Sequence, residues 1–131
     1  MKRKPIIQKT FFKASAHEVF EMLMDSKLHA AFSEGSAKIS RKVGGSFSVF
    51  DGYATGKNIK LVPDKKIVQS WHASDWKKDE ISEVTFSIAP ARTGCTLTFT
   101  QKNVPEEHYS AIKQGWIDFY WNPMKEMLKN R

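Results

Sequence analysis

Apolar residues change their spacing twice along this chain. Residues 6–13 (IIQKTFFK) form a short apolar run in which Ile7, Lys9 and Phe11 share one parity and Ile6, Gln8, Thr10 and Phe12 the other. That predicts a strand but leaves its buried face undecided. Next comes Ser15-Ala16-His17-Glu18, a capping box in which the serine hydroxyl covers the N–H of Glu18 and the glutamate reaches back. Val19, Phe20, Met22 and Leu23 then supply the apolar side of a short helix. Asp25-Ser26 breaks it and caps a second over residues 27–32, which Gly35 is expected to end. From residue 37 the period falls to two. Turn signals at Gly44-Gly45, Asp51-Gly52, Pro63-Asp64, Lys78-Asp79 and 91–94 separate strands over 37–42, 46–50, 53–62, 66–73, 81–89 and 95–102. Asp51-Gly52 is the strongest tight-hairpin signal, and Gly44-Gly45 reads as a bulge or tight bend.

The spacing changes again after Pro105. Ile112, Trp116, Phe119, Tyr120, Met124, Met127 and Leu128 recur every three or four residues, the stripe of one long helix over 105–131. Glu106 and Glu107 suit the positive end of its dipole and Lys125, Lys129 and Arg131 the negative end. Pro123 lies inside the stripe, removes one hydrogen bond and crowds the carbonyl of Phe119, so a kink or break is expected there. The stripe needs a broad cover. Strands joined by short connections make an antiparallel meander, and 84–88 and 95–100 alternate as half-buried strands do. The expected fold is α+β: a seven-stranded antiparallel sheet curved around a long C-terminal helix, with two short helices after the first strand. A twisted sheet meets a helix over only part of its surface, which leaves room for a cavity.

Composition narrows the class. The 131 residues suit one domain over 1–131, and 40% hydrophobic with 27% charged residues is a globular balance. Met1-Lys2-Arg3-Lys4 is basic, but no apolar leader follows it and no run reaches the length of a membrane span, so a soluble, cytoplasmic protein is expected. Cys95 is the single cysteine, which excludes an internal disulfide. The net charge of +7 favours an acidic partner. The lysines do not line one helix face and no nucleic-acid motif is present, so nucleic acid is not the expected partner.

The run DGYATGKNIKLVPDKKIVQSWHASDW, from Asp51-Gly52 to Trp76, carries a resemblance. So do Val104-Pro105, Gly115-Trp116, Tyr120 and Pro123-Met124-Lys125. Together they resemble the C-terminal domain of the activator of heat-shock protein 90 ATPase, the Aha-type branch of the START-like (Bet v 1-like, SRPBCC, helix-grip) superfamily. The resemblance implies the helix-grip fold and a binding module with a chaperone-regulating or stress-response role. The eukaryotic co-chaperone joins such a domain to an N-terminal one, so full ATPase activation is not expected of this domain type alone. Other superfamily relatives hold small apolar molecules in the cavity, and a few catalyse cyclisation there.

Candidate residues follow. Cavity lining is expected from Phe47, Val49, Trp71, Phe86, Trp116 and Tyr120. Trp76, beside Lys77 and Lys78, is either a partly exposed protein-contact residue or a lid over the open end of the sheet. His17, His29, His72 and His108 lack metal-ligand spacing, so no metal and no cofactor are expected. His72 is the one histidine expected to point inward; His17 and His108 are expected to face solvent. Cys95 is in register with Leu97 and Phe99 and reads as a small core residue. A cyclase-like enzyme would rely on His72 or Gln69 as acid or base, a poor set. The readings are therefore, in order, a non-enzymatic partner of a heat-shock protein 90 chaperone or another acidic protein, a carrier of a small apolar ligand, and an enzyme.

Overall fold

The structure is a computed structural model and describes residues 4–131; Met1, Lys2 and Arg3 of the basic start lie outside the described residues. The element order is β1 (Ile6–Phe12), α1 (Ala16–Met24), α2 (Ser26–Ser33), β2 (Lys38–Ile39), β3 (Ser46–Val49), β4 (Ala54–Val62), β5 (Lys66–Ala73), β6 (Ser82–Ala91) and β7 (Gly94–Lys102), then the C-terminal helical run. That run is a 3-10 turn (Glu106–His108), α3 (Tyr109–Trp116), a π-type turn (Ile117–Trp121) and α4 (Asn122–Lys129). The strands form one antiparallel sheet in the order β1-β7-β6-β5-β4-β3-β2. This is the expected helix-grip α+β fold. Among the described residues no helix is long and apolar enough to cross a membrane.

Packing resolves the ambiguous first strand. Ile6 and Phe12 are fully buried, whereas Ile7 and Phe11 are exposed at 65% and 44%. The even parity therefore faces the helices. In β1 that face also carries Gln8, whose amide N–H donates to the Lys113 carbonyl (2.9 Å) and whose oxygen accepts from the Trp121 indole (2.7 Å). A matching bond runs from the Trp116 indole to Gln101 on β7 (2.7 Å), and Gln101 donates to Ser82 on β6 (2.9 Å). Buried Gln101 and half-buried Gln8 thus fix the height and rotation of the helix on the sheet, because a shift would leave the two buried indoles without their acceptors.

Local signals hold with three adjustments. The capping box forms as expected, with the Glu18 N–H on Ser15 Oγ (3.1 Å) and the Ser15 N–H on Glu18 Oε1 (3.4 Å). Asp25 caps α2 through the Leu28 N–H (3.0 Å). The left-handed residue that ends α2 is Glu34 (φ 57), not Gly35, where a Cβ would come within 3.1 Å of the Phe50 α-carbon. The Asp51-Gly52 turn is longer than a two-residue hairpin. Val49 pairs with Ala54, and Phe50, Asp51 and Gly52 all take positive φ. Asp51 holds this four-residue loop by accepting the Ser36 N–H (2.8 Å).

The third adjustment is in the helix. Pro123 produces no break; it sits in the first turn of α4, after a turn that bonds five residues back, from the Asn122 N–H to the Ile117 carbonyl. The Ile117 N–H bonds to Gln114, and the freed Lys113 carbonyl is the one that Gln8 takes. A wider turn lets consecutive residues point the same way. Tyr120 and Trp121 are both buried for that reason.

Candidate functional site

An apolar cavity lies between the β3–β4 loop and α3. Its volume is about 410 Å³, and its walls are Phe50, Tyr53, Trp71, Ala111, Ile112, Gly115, Trp116, Phe119 and Tyr120. Each wall has a local cause. Phe50 is turned in by its left-handed backbone, and its ring meets Tyr120 (5.4 Å) and Phe119 (6.3 Å). Trp71 is inward by strand alternation and packs on Trp116 at 5.7 Å. Gly115 contributes space, because a side chain there would stand over the Phe119 ring. Phe119 closes the rim and is 61% exposed. Nine residues thus enclose a volume within the usual span of small-molecule pockets.

A second void, of about 10 Å³, sits deeper, among Leu23, His29, Ile39, Phe47, Val49, Ile67, Gln69, Phe86 and Tyr120. That is about the room one water needs. The six cavity residues expected from sequence therefore divide between two spaces. Trp71 and Trp116 line the large cavity, Phe47, Val49 and Phe86 line the small void, and Tyr120 is shared. They are not one lining, because the Trp116–Tyr120 ring pair, with centroids 4.3 Å apart, lies between the two ends.

His29 is the inward histidine, and His72 is not. The His29 ring is 1% exposed, its Nε2 lies 2.9 Å from the Tyr120 hydroxyl, and it touches the rings of Phe32 and Phe50. Burial lowers its pKa to about 4, so the ring is neutral at ordinary pH, and burial raises the Tyr120 phenol. His29 was missed because α2 is short, but its spacing of three from Phe32 put it on the apolar side. His72 hydrogen-bonds the Glu80 carbonyl (2.8 Å) near the sheet end, away from both spaces. His17 is exposed and its pKa is raised by its bond to Asp64 (2.9 Å). His108 is half-buried against Trp76, with ring centroids 6.0 Å apart. Gln69 donates to Asn58 (3.0 Å) and is not ionisable. Cys95 is a fully buried core residue, and burial raises its thiol pKa.

Trp76 is corrected as well. It is only 5% exposed and packs on Trp71 (5.4 Å) and His108, so it is a lid rather than an exposed contact. Lys77 and Lys78 are exposed beside it, but Asp75, Asp79 and Glu80 share the loop, which leaves its two positive charges outweighed by three negative ones. Phe50, Tyr53, Ala111, Ile112, Gly115 and Phe119 line the cavity without having been anticipated. Phe50 and Tyr53 belong to a turn whose shape only the three positive φ values reveal. Among the described residues no group of three or more acidic, histidine or cysteine side chains could hold a metal.

The family model described as "Activator of Hsp90 ATPase homolog 1-like protein" matches residues 13–129. An uncharacterised protein of Schizosaccharomyces pombe is 32% identical over 117 residues, covering 89% of this chain and 35% of that protein. Mouse activator of 90 kDa heat shock protein ATPase homolog 2 is 25% identical over 118 residues, covering 90% and 36%. The chain thus spans about a third of the length of these curated relatives. Among solved structures, an HSP90 activator from Plasmodium falciparum superposes with a TM-score of 0.89 at 22% identity, covering 97% of each chain, which is a likeness of fold. With a match from the end of the first strand through the last helix, this chain belongs to the family of activator of Hsp90 ATPase homolog 1-like proteins.

Proposed function

We propose that residues 1–131 form a non-enzymatic, cytoplasmic binding module whose partner is a chaperone of the heat-shock protein 90 class. The observation that carries this reading is the family match over residues 13–129, whose relatives include proteins named as activators of that chaperone's ATPase. The cationic balance of the chain complements an acidic partner. The test is an NMR titration of labelled protein with the chaperone of its own organism. Amide shifts grouped on one face, followed by a change in the chaperone's ATPase rate, would support the reading. A titration without shifts at high chaperone concentration would overturn it. Lys77→Glu with Lys78→Glu tests the loop beside Trp76. Because that loop already carries more acid than base, the expected change in affinity is less than about threefold.

A second reading is favoured by one particular observation. The cavity of about 410 Å³ is walled by aromatic and aliphatic side chains, among them Phe50, Tyr53, Trp71, Ile112, Trp116 and Phe119. A flat apolar molecule would cover this lining and take it out of water. Native mass spectrometry of freshly purified protein would reveal such a ligand as added mass. Protein of bare chain mass, together with no Trp fluorescence change on adding flat aromatic compounds, would exclude it.

A further inference from the structure

The outer face of the sheet is cationic to a degree that the sequence conceals. Six lysines lie within strands: Lys9 on β1, Lys38 on β2, Lys57 and Lys60 on β4, Lys66 on β5 and Lys102 on β7. Register turns all six to the side away from the helices. Ile39, Gly56, Leu61 and Ile67 are their inward neighbours, and Lys9 lies between exposed Ile7 and Phe11. Glu83 is the one acidic residue in the seven strands, and it stands opposite Lys102. None of the ion pairs among the described residues contains a lysine. The other side is different. From Pro105 to Arg131 four basic residues face four acidic ones, and α1 with α2 carries more acid than base.

Between the lysines runs a lane of hydroxyls. Lys9 is paired with Thr98, which is paired with Ser87, which is paired with Lys66. One row over, Thr100 and Thr85 lead to Val68 and Lys60. The lane is therefore two strands wide, with lysines about 14 Å apart across it. Hydroxyls donate to carboxylates, and the flanking ammonium groups supply the field. All six cations are lysine. The arginine forks that grip phosphate in pairs are missing from this face, and exposed Ile7 and Phe11 add apolar contacts.

We infer that the outer face of β1, β7, β6, β5 and β4 is a docking surface for an acidic segment of a partner protein, laid along the Thr/Ser lane between Lys9 and Lys66. The inference rests on the reading of this chain as a protein-contact module. It names the surface used, and does so independently of the loop at Lys77-Lys78.

The test uses two probes, the chaperone of the same organism and a poly-glutamate peptide. It compares the intact chain with Lys60→Glu/Lys66→Glu and, as a helix-side control, Lys125→Glu/Lys129→Glu. Circular dichroism and melting confirm that both variants fold. The sheet variant is expected to bind each probe at least about tenfold more weakly, with a flatter salt dependence, and the control to change less than about twofold. Binding to the chaperone that the sheet variant retains in full would overturn the surface but not the co-chaperone reading. Binding of poly-glutamate alone, lost in the sheet variant, would support the surface and overturn the chaperone as partner. Binding of neither probe, or tighter binding to phosphatidylserine vesicles or duplex DNA than to poly-glutamate, would overturn the inference.

Discussion

His29 shows how much one buried side chain can contribute to the pH response of the whole. Its folded pKa of about 4 lies below the ordinary value of 6.5, so the unfolded chain binds a proton in that window and the folded one does not. Stability therefore rises with pH from about 4 to 6.5 and is flat above. The shift corresponds to about 3 kcal/mol at most. Urea unfolding of the wild type should show this slope, and His29→Gln should remove most of it. An unchanged slope in the variant would place the pH response elsewhere. Two glycines divide on equally local grounds. A Cβ on Gly56 would lie 1.8 Å from the Ser70 carbonyl oxygen, backbone that cannot step aside. Gly56→Ala should cost about 2 kcal/mol or more. Gly115 has ordinary room, 3.7 Å to Phe119. Gly115→Ala should stabilise the helix by up to about 1 kcal/mol, while narrowing the cavity and weakening any apolar ligand.

At the scale of the element, the C-terminal helix owes its irregularity to two contributions that act together. Pro123 cannot supply an N–H to Phe119, and Gln8, from the far end of the chain, occupies the carbonyl of Lys113. The resulting π-type turn aims Trp116, Tyr120 and Trp121 at the sheet together, with Trp116 and Trp121 stacked at 5.7 Å. Gln8→Ala should cost about 1–2 kcal/mol, because it leaves the covered Trp121 indole N–H without its acceptor. It should also shift the near-ultraviolet dichroism of the tryptophans. A loss below about 0.5 kcal/mol would mean that Pro123 alone sets the turn. Periodicity and Pro123 marked the place of this irregularity in advance. Its form could not be read, since Gln8 lies on a strand whose buried parity the sequence left open.

At the scale of the molecule, charge and apolar surface are separated. The helices cover the inner face and its cavity, and the strands carry lysines outward. Such a face repels itself. Raising sodium chloride from about 20 to 300 mM should therefore raise Tm by a few degrees, as screening shortens the reach of each charge. Lys60→Glu/Lys66→Glu should lose most of that dependence. A Tm that falls with salt would show that attractive pairs outweigh the repulsion.

Pattern along the chain was enough for the element order, the capping box, the antiparallel meander and the helix-grip architecture. Those features follow from interactions within a few residues and from alternation, which neighbouring residues record. The family resemblance rested on the same kind of signal, the spacing of Asp51-Gly52 through Trp76 and of Gly115-Trp116 through Lys125. What joins distant parts of the chain came from the folded structure alone. His29 meets Tyr120 across 91 positions, and Gln8 meets Trp121 across 113. Phe50 and Tyr53 enter the cavity through a loop with three positive φ values, and six scattered lysines reach one face through strand register. Contacts of that range depend on which face each strand turns inward, and tertiary packing settles it by burying one parity and leaving the other in water.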